Sequence, residues 1–190
     1  MSDLTPTQRS LHAQTPHRLA RLHQLGLADH PDEEFDRFTG ALARGSGVPG
    51  ALAMVNAISD RQFFTGLHLP SADELGSVAE AEALAAAVGR VMPLEHGYCP
   101  ETMDRTKPLT LPDVCMKPDF AGNEVVDLVN IRTYMGIRLI DKEMGIPLMT
   151  ICVVGREARP MEDGRRMLAY IKERGAQGQY LLDQRITALS

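Results

Sequence analysis

The chain has 190 residues, of which 44% are hydrophobic and 24% are charged, so it is long enough to fold around one well-buried core. Its net charge of −5, without a basic stripe, argues against a nucleic-acid partner, because phosphate neutralisation requires clustered Lys and Arg. No stretch approaches about eighteen continuous apolar residues and the N-terminus has no apolar core, so we expect a cytoplasmic protein without a membrane partner.

The N-terminal third predicts an arm, two helices and a pair of strands. Residues 1–14 are polar and unpatterned, which is typical of a flexible arm. A Thr-Pro pair at 15–16 predicts the start of a helix with an apolar stripe of leucines. A second helix is predicted after Pro31, with acidic residues in its first turn. Apolar runs at 50–58 and 61–65 predict two strands joined by a short turn.

The middle of the chain predicts a lid of helices and loops around one strand. Ser71 and Glu74 have the spacing of a capping box, which predicts an Ala-rich helix running towards Val91. A loop, a short helix and a strand at 109–111 should follow. Residues 124–129 predict a weak helix.

Two apolar runs, 134–140 and 146–154, flank a short charged segment and predict a central β-hairpin. Both faces of the second run are mostly apolar, so helices should cover both sides of the sheet. The last helix should begin after Pro160, and we assign residues 176–190 to a C-terminal helical extension.

Four stretches of the chain have the order and spacing of a known domain family, and they lie at 18–64, 108–126, 131–139 and 148–160. Together they resemble a GAF domain of the type found in bacterial signalling proteins, and we assign residues 15–175 to it. The resemblance implies an α+β fold with a central antiparallel sheet of five or six strands and helices on both faces. It also implies a ligand pocket under the short helices and loops, and a homodimer formed through the terminal helices.

Departures from the family pattern limit which ligand is expected. Bilin-binding relatives attach their chromophore through a Cys-His dipeptide, whereas Pro100 follows Cys99 in this chain. The signature of cyclic-nucleotide-binding GAF domains is also missing. His68 and His96 lie where a pocket could be, but a lone loop histidine is more often solvated or hydrogen-bonded than a haem ligand. We therefore expect no cofactor, neither haem nor bilin, and no metal.

Candidate ligand-binding residues are taken from the predicted pocket, although as a group they are equally compatible with core packing. They are Phe64, His96, Tyr98, Cys99, Met103, Asp113 and Tyr134.

Cys99 is also a candidate redox thiol. Pro100 behind it predicts that Cys99 is the N-cap of a short helix, where backbone amides favour a thiolate. Cys115 is a conceivable partner, while Cys152 is expected in the core. The alternative is that Cys99 is a small apolar wall residue, which is the commoner role of a buried cysteine.

Three functions follow from these observations. The first is a stand-alone sensory or regulatory module that binds a small molecule and signals in trans through its terminal helices to a partner. The second is a thiol-based redox sensor or reductase using Cys99, with or without Cys115. The third is a module retained only for dimerisation. No catalytic constellation is present, and the chain lacks the tryptophan expected of GAF-fold methionine sulfoxide reductases, so we do not expect an enzyme.

Overall fold

Eight α-helices and six strands make up the described residues, which are 6–189 of this computed structural model, with side chains from residue 12 onward. In chain order the elements are α1 (Pro6–Gln24), α2 (Glu33–Gly45), β1 (Leu52–Ile58), β2 (Gln62–His68), α3 (Ala72–Leu75), α4 (Val78–Ala87), β3 (Val91–Met92), α5 (Cys99–Asp104), β4 (Leu109–Leu111), α6 (Pro118–Ala121), α7 (Glu124–Val129), β5 (Thr133–Asp141), β6 (Ile146–Gly155) and α8 (Gly164–Thr187). Two short 3-10 turns precede α6 and α8.

All six strands form one sheet with the order β3-β2-β1-β6-β5-β4. Every neighbouring pair is antiparallel. The expected α+β class, with a central antiparallel sheet of five or six strands, is confirmed. The short strand predicted at 109–111 joins the same sheet at its edge, beside β5.

The central hairpin forms as predicted, and a single aspartate organises its turn. Asp141 Oδ1 accepts hydrogen bonds from the backbone N–H groups of Glu143 and Met144, at 2.9 and 3.1 Å. Gly145 has a φ of 69°, which a glycine adopts without the steric cost that a side chain would add. The Asp and Gly therefore fix the register of β5 against β6.

The two sides of the sheet are packed differently. The helix face is the side covered by α1, α2 and α8, and its core includes Leu22, Phe35 and Ile171. The lid face is the side covered by α3 to α7 and their loops, and its core includes Phe64, Met103 and Tyr134. Successive residues of a strand point to opposite faces of the sheet, and nearly all residues of β1 and β6 are apolar. Both faces of these central strands are therefore buried.

The first helix begins earlier than predicted. α1 starts at Pro6, so residues 6–14 of the predicted arm are helical, and Pro16 lies inside the helix rather than at its start. Residues 1–5 of that arm lie outside the described residues. Proline is favoured at the first helical position, and Pro6 occupies that position here. The buried Arg18 donates from Nε to the carbonyl of Ile58 at 3.2 Å and anchors α1 to the end of β1.

Two further boundaries differ. The capping box of Ser71 and Glu74 is present, but it opens a helix of only four residues, because Gly76 adopts a left-handed conformation and Ser77 caps a second helix, α4. Residues 176–187 are helical, as predicted for the C-terminal extension, but they continue α8 without a break at 175, and Leu182 and Ile186 are buried in the helix-face core.

Candidate functional site

A cavity of about 220 Å³ lies between the lid face of the sheet and the helices above it. Its floor is made by side chains of β1, β2 and β6, namely Leu52, Met54, Phe64 and Val154. Its walls come from the end of α4, β3, the loop that follows β3, and α7. Among the described residues that line it, His96 is the only one with an ionisable side chain, so the cavity suits a mainly apolar guest.

Two amide side chains hold the loop that carries His96. The buried Gln62 donates from Nε2 to the carbonyls of Pro93 and His96, at 2.6 and 2.7 Å. Asn123 bonds both the N–H and the carbonyl of Gly97, each at 2.9 Å. The His96 ring itself lies with Nε2 2.6 Å from the carboxylate of Glu124. His96 is therefore positioned at the cavity wall by its backbone as well as by its side chain.

A buried pair of thiols lies beside this cavity. The Cys99 thiol donates to Sγ of Cys152 at 3.5 Å, and the Cys152 thiol donates to Sδ of Met54 at 3.6 Å. Both cysteines are almost completely buried, whereas Met54 also lines the cavity. The Cys152 thiol is thus separated from the cavity by one methionine side chain, and Cys99 lies directly behind it.

Hydroxyl and amide groups surround the sulfur of Cys99. The Tyr134 hydroxyl lies 2.6 Å from the Thr102 hydroxyl and donates to Cys99 Sγ at 3.6 Å. Asn56 and Thr150 are directly opposite each other on β1 and β6 and also reach Cys99. Within the described part of the chain, Oδ1 of Asn56 and Oγ1 of Thr150 are buried without a hydrogen-bond partner. The Thr150 hydroxyl is therefore available to a negative charge on Cys99.

These contacts shift the pKa values of the two thiols in opposite directions. When Cys99 ionises, the Cys152 thiol becomes the donor between the two sulfurs, and this hydrogen bond lowers the pKa of Cys99 against the effect of burial, with further hydrogen bonds from Thr150, Asn56 and Tyr134. The same sulfur–sulfur hydrogen bond, together with burial, raises the pKa of Cys152 well above its usual value. Burial also raises the pKa of Tyr134, which keeps its proton and remains a donor. The first proton to leave the pair therefore comes from Cys99.

The structure distributes the predicted site residues over three places. Phe64 and His96 line the cavity. Tyr98, Cys99, Met103 and Tyr134 are buried next to it in the lid-face core. Asp113 is partly buried away from the cavity and is paired with Arg132 at 3.2 Å, and the hydrogen bond that Arg132 donates to this carboxylate raises the pKa of Arg132.

The cysteine geometry corrects two expectations. Tyr98, not Cys99, occupies the N-cap position of α5, because Cys99 is already the first helical residue ahead of Pro100. Cys115 is exposed, and the sulfur that Cys99 contacts belongs to Cys152. The sequence placed Cys152 in the core, and its apolar strand gave no sign of a thiol neighbour.

Residues of the cavity floor were also missed. Leu52, Met54 and Val154 line it beside Phe64, and the alternation of β1 and β6 is the signal that could have placed them on one face. Among the residues that the structure describes, no group of three or more His, Cys, Asp or Glu side chains is arranged to hold a metal ion. None of the helices in residues 6–189 has the length and apolar character to cross a membrane.

Comparison with known proteins identifies the fold. No protein-family model matches the sequence, and no curated protein matches it at a significant level. A GAF domain from A. aeolicus in an inactive state is similar, with a TM-score of 0.56 and 12% identity over 92% of this chain and 99% of that chain. The GAF domain of an Acinetobacter phosphoenolpyruvate-protein phosphotransferase has a TM-score of 0.54 and 11% identity over 99% of this chain and 98% of that chain. The chain therefore has the GAF fold, as its sequence resemblance predicts.

An enzyme also aligns, but more weakly. Free methionine-R-sulfoxide reductase from Neisseria meningitidis, in complex with its substrate, has a TM-score of 0.47 and 11% identity, and the alignment covers 96% of each chain. A likeness of this strength carries no argument about activity.

Proposed function

We propose that the protein is a regulatory module whose cavity binds a small, mainly apolar molecule with one polar group directed at His96. The observation that supports this most is the apolar cavity itself, which lies between the sheet and the lid and whose ionisable lining, within the described part of the chain, is His96 alone. Burying apolar ligand surface there would contribute about 25 cal/mol per Å², and the imidazole would orient the polar end.

The sheet offers a direct connection from the cavity to the terminal helices. On β6, Val154 forms part of the cavity floor, while the preceding Val153 belongs to the helix-face core under α8. A ligand that shifts β6 would therefore change the packing of α1 and α8. We include in the proposal that these helices signal in trans, as a homodimer or to a partner protein, and the exposed Tyr180 and Leu189 on and after α8 offer an apolar contact for it.

Toluene and benzoate are suitable probes, since both carry an apolar ring and only benzoate carries a charged group for His96. Met54 and Met92 line the cavity, and the NMR signals of their methyl groups should shift saturably with either probe. Ala87→Phe places a ring at the mouth of the cavity and should abolish the shifts. Ala86→Phe is the matched control, because Ala86 is equally exposed on α4 but does not line the cavity.

A second pair of variants tests the role of His96. His96→Leu should weaken benzoate about tenfold, as expected for loss of a charge-assisted hydrogen bond, and leave toluene unchanged. His30→Leu changes an exposed histidine away from the cavity and should affect neither probe. Absence of probe-induced shifts in the unmodified protein, or equal losses in the two alanine variants, would contradict the proposal. Sedimentation with and without probe measures whether the oligomeric state responds.

A further inference from the structure

We propose that Cys99 and Cys152 are a redox pair that a small hydroperoxide oxidises to a disulfide, and that closing this bond changes the wall of the cavity. The two sulfurs are 3.5 Å apart although the residues lie on different elements, α5 and β6. A disulfide requires a sulfur separation of about 2.05 Å, so the sulfurs need to approach by about 1.5 Å.

The two cysteines differ in how freely they can move. Cys152 lies in the middle of β6, which is paired on one side with β1 and on the other with β5. Cys99 is the first residue of α5, a helix of six residues that follows a loop. The approach is therefore made by α5, while β6 stays in the sheet.

Cys99 is the nucleophile of the pair. The Tyr134 hydroxyl donates to its sulfur, and the unpartnered hydroxyl of Thr150 lies within reach. Once Cys99 has lost its proton, the neighbouring Cys152 thiol turns its hydrogen from Met54 to the Cys99 sulfur and becomes a third donor. Three donors around one sulfur stabilise a thiolate, and the lowered pKa of Cys99 agrees with that geometry. Cys152 has Met54 as its other contact, which offers a thiolate no hydrogen.

The oxidation then proceeds in two steps. The Cys99 thiolate attacks an oxygen of the hydroperoxide, the O–O bond breaks, and the leaving alkoxide takes up the proton that Cys99 had lost, which gives an alcohol and a sulfenic acid on Cys99. Cys152 next attacks that sulfur and displaces hydroxide, which takes the Cys152 proton and leaves as water. In sum two thiols lose two electrons and two protons, and one hydroperoxide becomes one alcohol and one water.

The cavity supplies the route to these buried sulfurs. Met54 contacts Cys152 on one side and the cavity on the other, so a rotation of its flexible side chain opens the path. Because the lining is apolar, a small organic hydroperoxide should enter more readily than hydrogen peroxide.

The same contacts connect the disulfide to the cavity wall. Asn56 reaches Cys99 and donates from Nδ2 to Gln62 Oε1 at 2.8 Å, and Gln62 in turn holds the carbonyls of Pro93 and His96. His96 also precedes Cys99 by only three residues. A displacement of α5 towards β6 therefore acts on the loop that carries His96.

The test of the pair uses the full chain treated with tert-butyl hydroperoxide, then denatured, alkylated and analysed by peptide mass spectrometry. We expect a cross-linked peptide joining Cys99 to Cys152, reversible by dithiothreitol, with Cys115 still alkylated. Cys115→Ser should behave as the unmodified protein. In folded Cys152→Ala, dimedone should trap a sulfenic acid on Cys99, whereas Cys99→Ala should leave Cys152 unoxidised. A disulfide that uses Cys115 instead, or a Cys99 that stays reduced while Cys115 is oxidised, would overturn the pair.

The effect of the disulfide on ligand affinity rests on the proposed function, so it is measured in a separate experiment. Toluene affinity of the oxidised Cys115→Ser protein should differ about fivefold from that of the reduced protein, and reduction should restore it. Equal affinities in the two forms would overturn the coupling. If toluene binds neither form while the disulfide still appears, the proposed function fails and the redox pair stands.

Discussion

Arg21 on α1 and Asp141 at the β5–β6 turn form a buried ion pair, with Nε 2.6 Å from Oδ2. The Asp141 side chain has no exposed surface, and its other oxygen is used by the backbone of the turn. Hydrogen bonding to Asp141 raises the pKa of Arg21. The pair joins the first helix to the tip of the central hairpin.

Breaking this pair should be costly. Arg21→Met keeps the apolar stem but leaves the Asp141 charge buried without a partner, so we expect a loss of about 3 kcal/mol in the free energy of unfolding by urea. Lys142→Met removes an exposed ion pair with Asp183 and should cost at most about 1 kcal/mol. Similar losses of unfolding free energy in both variants would show that the buried pair contributes no more to stability than the exposed pair.

Two glycines on α8 should respond in opposite directions to alanine. A Cβ on Gly178 would meet its neighbours at 3.4 to 3.5 Å, which is ordinary contact, so Gly178→Ala should stabilise the protein by about 0.5–1 kcal/mol through helix propensity. A Cβ on Gly175 would lie 2.9 Å from Ile137 Cγ2, and Gly175→Ala should destabilise by about 1 kcal/mol despite the same propensity gain. Thermal unfolding of both variants measures the difference, and a stabilised Gly175→Ala would contradict the packing argument.

Gly136 allows the Tyr134 ring to lie along β5. A Cβ on Gly136 would be only 2.2 Å from the Tyr134 hydroxyl oxygen, so Gly136→Ala forces the ring away and breaks its hydrogen bond with Thr102. We expect a loss of about 2–3 kcal/mol in chemical denaturation. Gly122→Ala is the control, since a Cβ there meets nothing within 4 Å, and its effect should stay within about 0.5 kcal/mol.

Asp104 should make stability depend on pH between about 4 and 6. Burial, and then the charge of Glu101, raise the pKa of Asp104 to about 6, against about 3.9 in an unfolded chain. The folded state therefore holds the proton more strongly, so this stabilisation is fully present below about pH 4 and is lost as the pH rises through about 6.

The comparison of variants isolates that contribution. The unmodified protein should lose about 1 kcal/mol in its free energy of unfolding between pH 4 and 7, less than the full pKa shift implies because Asp104 is partly exposed. Asp104→Asn has no group to titrate and should not show this loss. Asp119→Asn, at an exposed position on α6, controls for the change in net charge. Parallel stability curves for Asp104→Asn and the unmodified protein across this range would refute the assignment.

Local sequence signals were sufficient for five of the six strands of the described sheet, but not for β3, which lies where the Ala-rich helix was predicted to end. The hairpin of β5 and β6 follows from two apolar runs around a polar turn, and the strand at 109–111 from its flanking prolines. The start of α1 at Pro6 was missed because Pro16 offers the same local signal, a proline suited to the first helical position, ten residues later. The contact between Arg18 and β1, a distant part of the chain, is one that no local pattern indicates.

The candidate site was less accessible to sequence reasoning. Phe64 and His96 were found because an aromatic strand residue and a loop histidine are obvious pocket candidates. The pairing of Cys99 with Cys152 depends on how α5 is set onto β6, which neither residue's neighbours in the chain encode. Likewise, the break at Gly76 depends on one residue in a stretch whose composition otherwise favours a single helix.

The pairing of β1 with β6 sets Leu52 opposite Val154, so the middle of the sheet unites early and late parts of the polypeptide. A nascent chain emerging from the ribosome cannot form the centre of its sheet until β6, in the final third of the sequence, has been synthesised. Until then, the β1–β2 ribbon has a bare edge of backbone groups and an uncovered apolar surface, the condition under which polypeptides self-associate. Truncation before Ile146 should therefore yield insoluble material rather than a smaller folded unit.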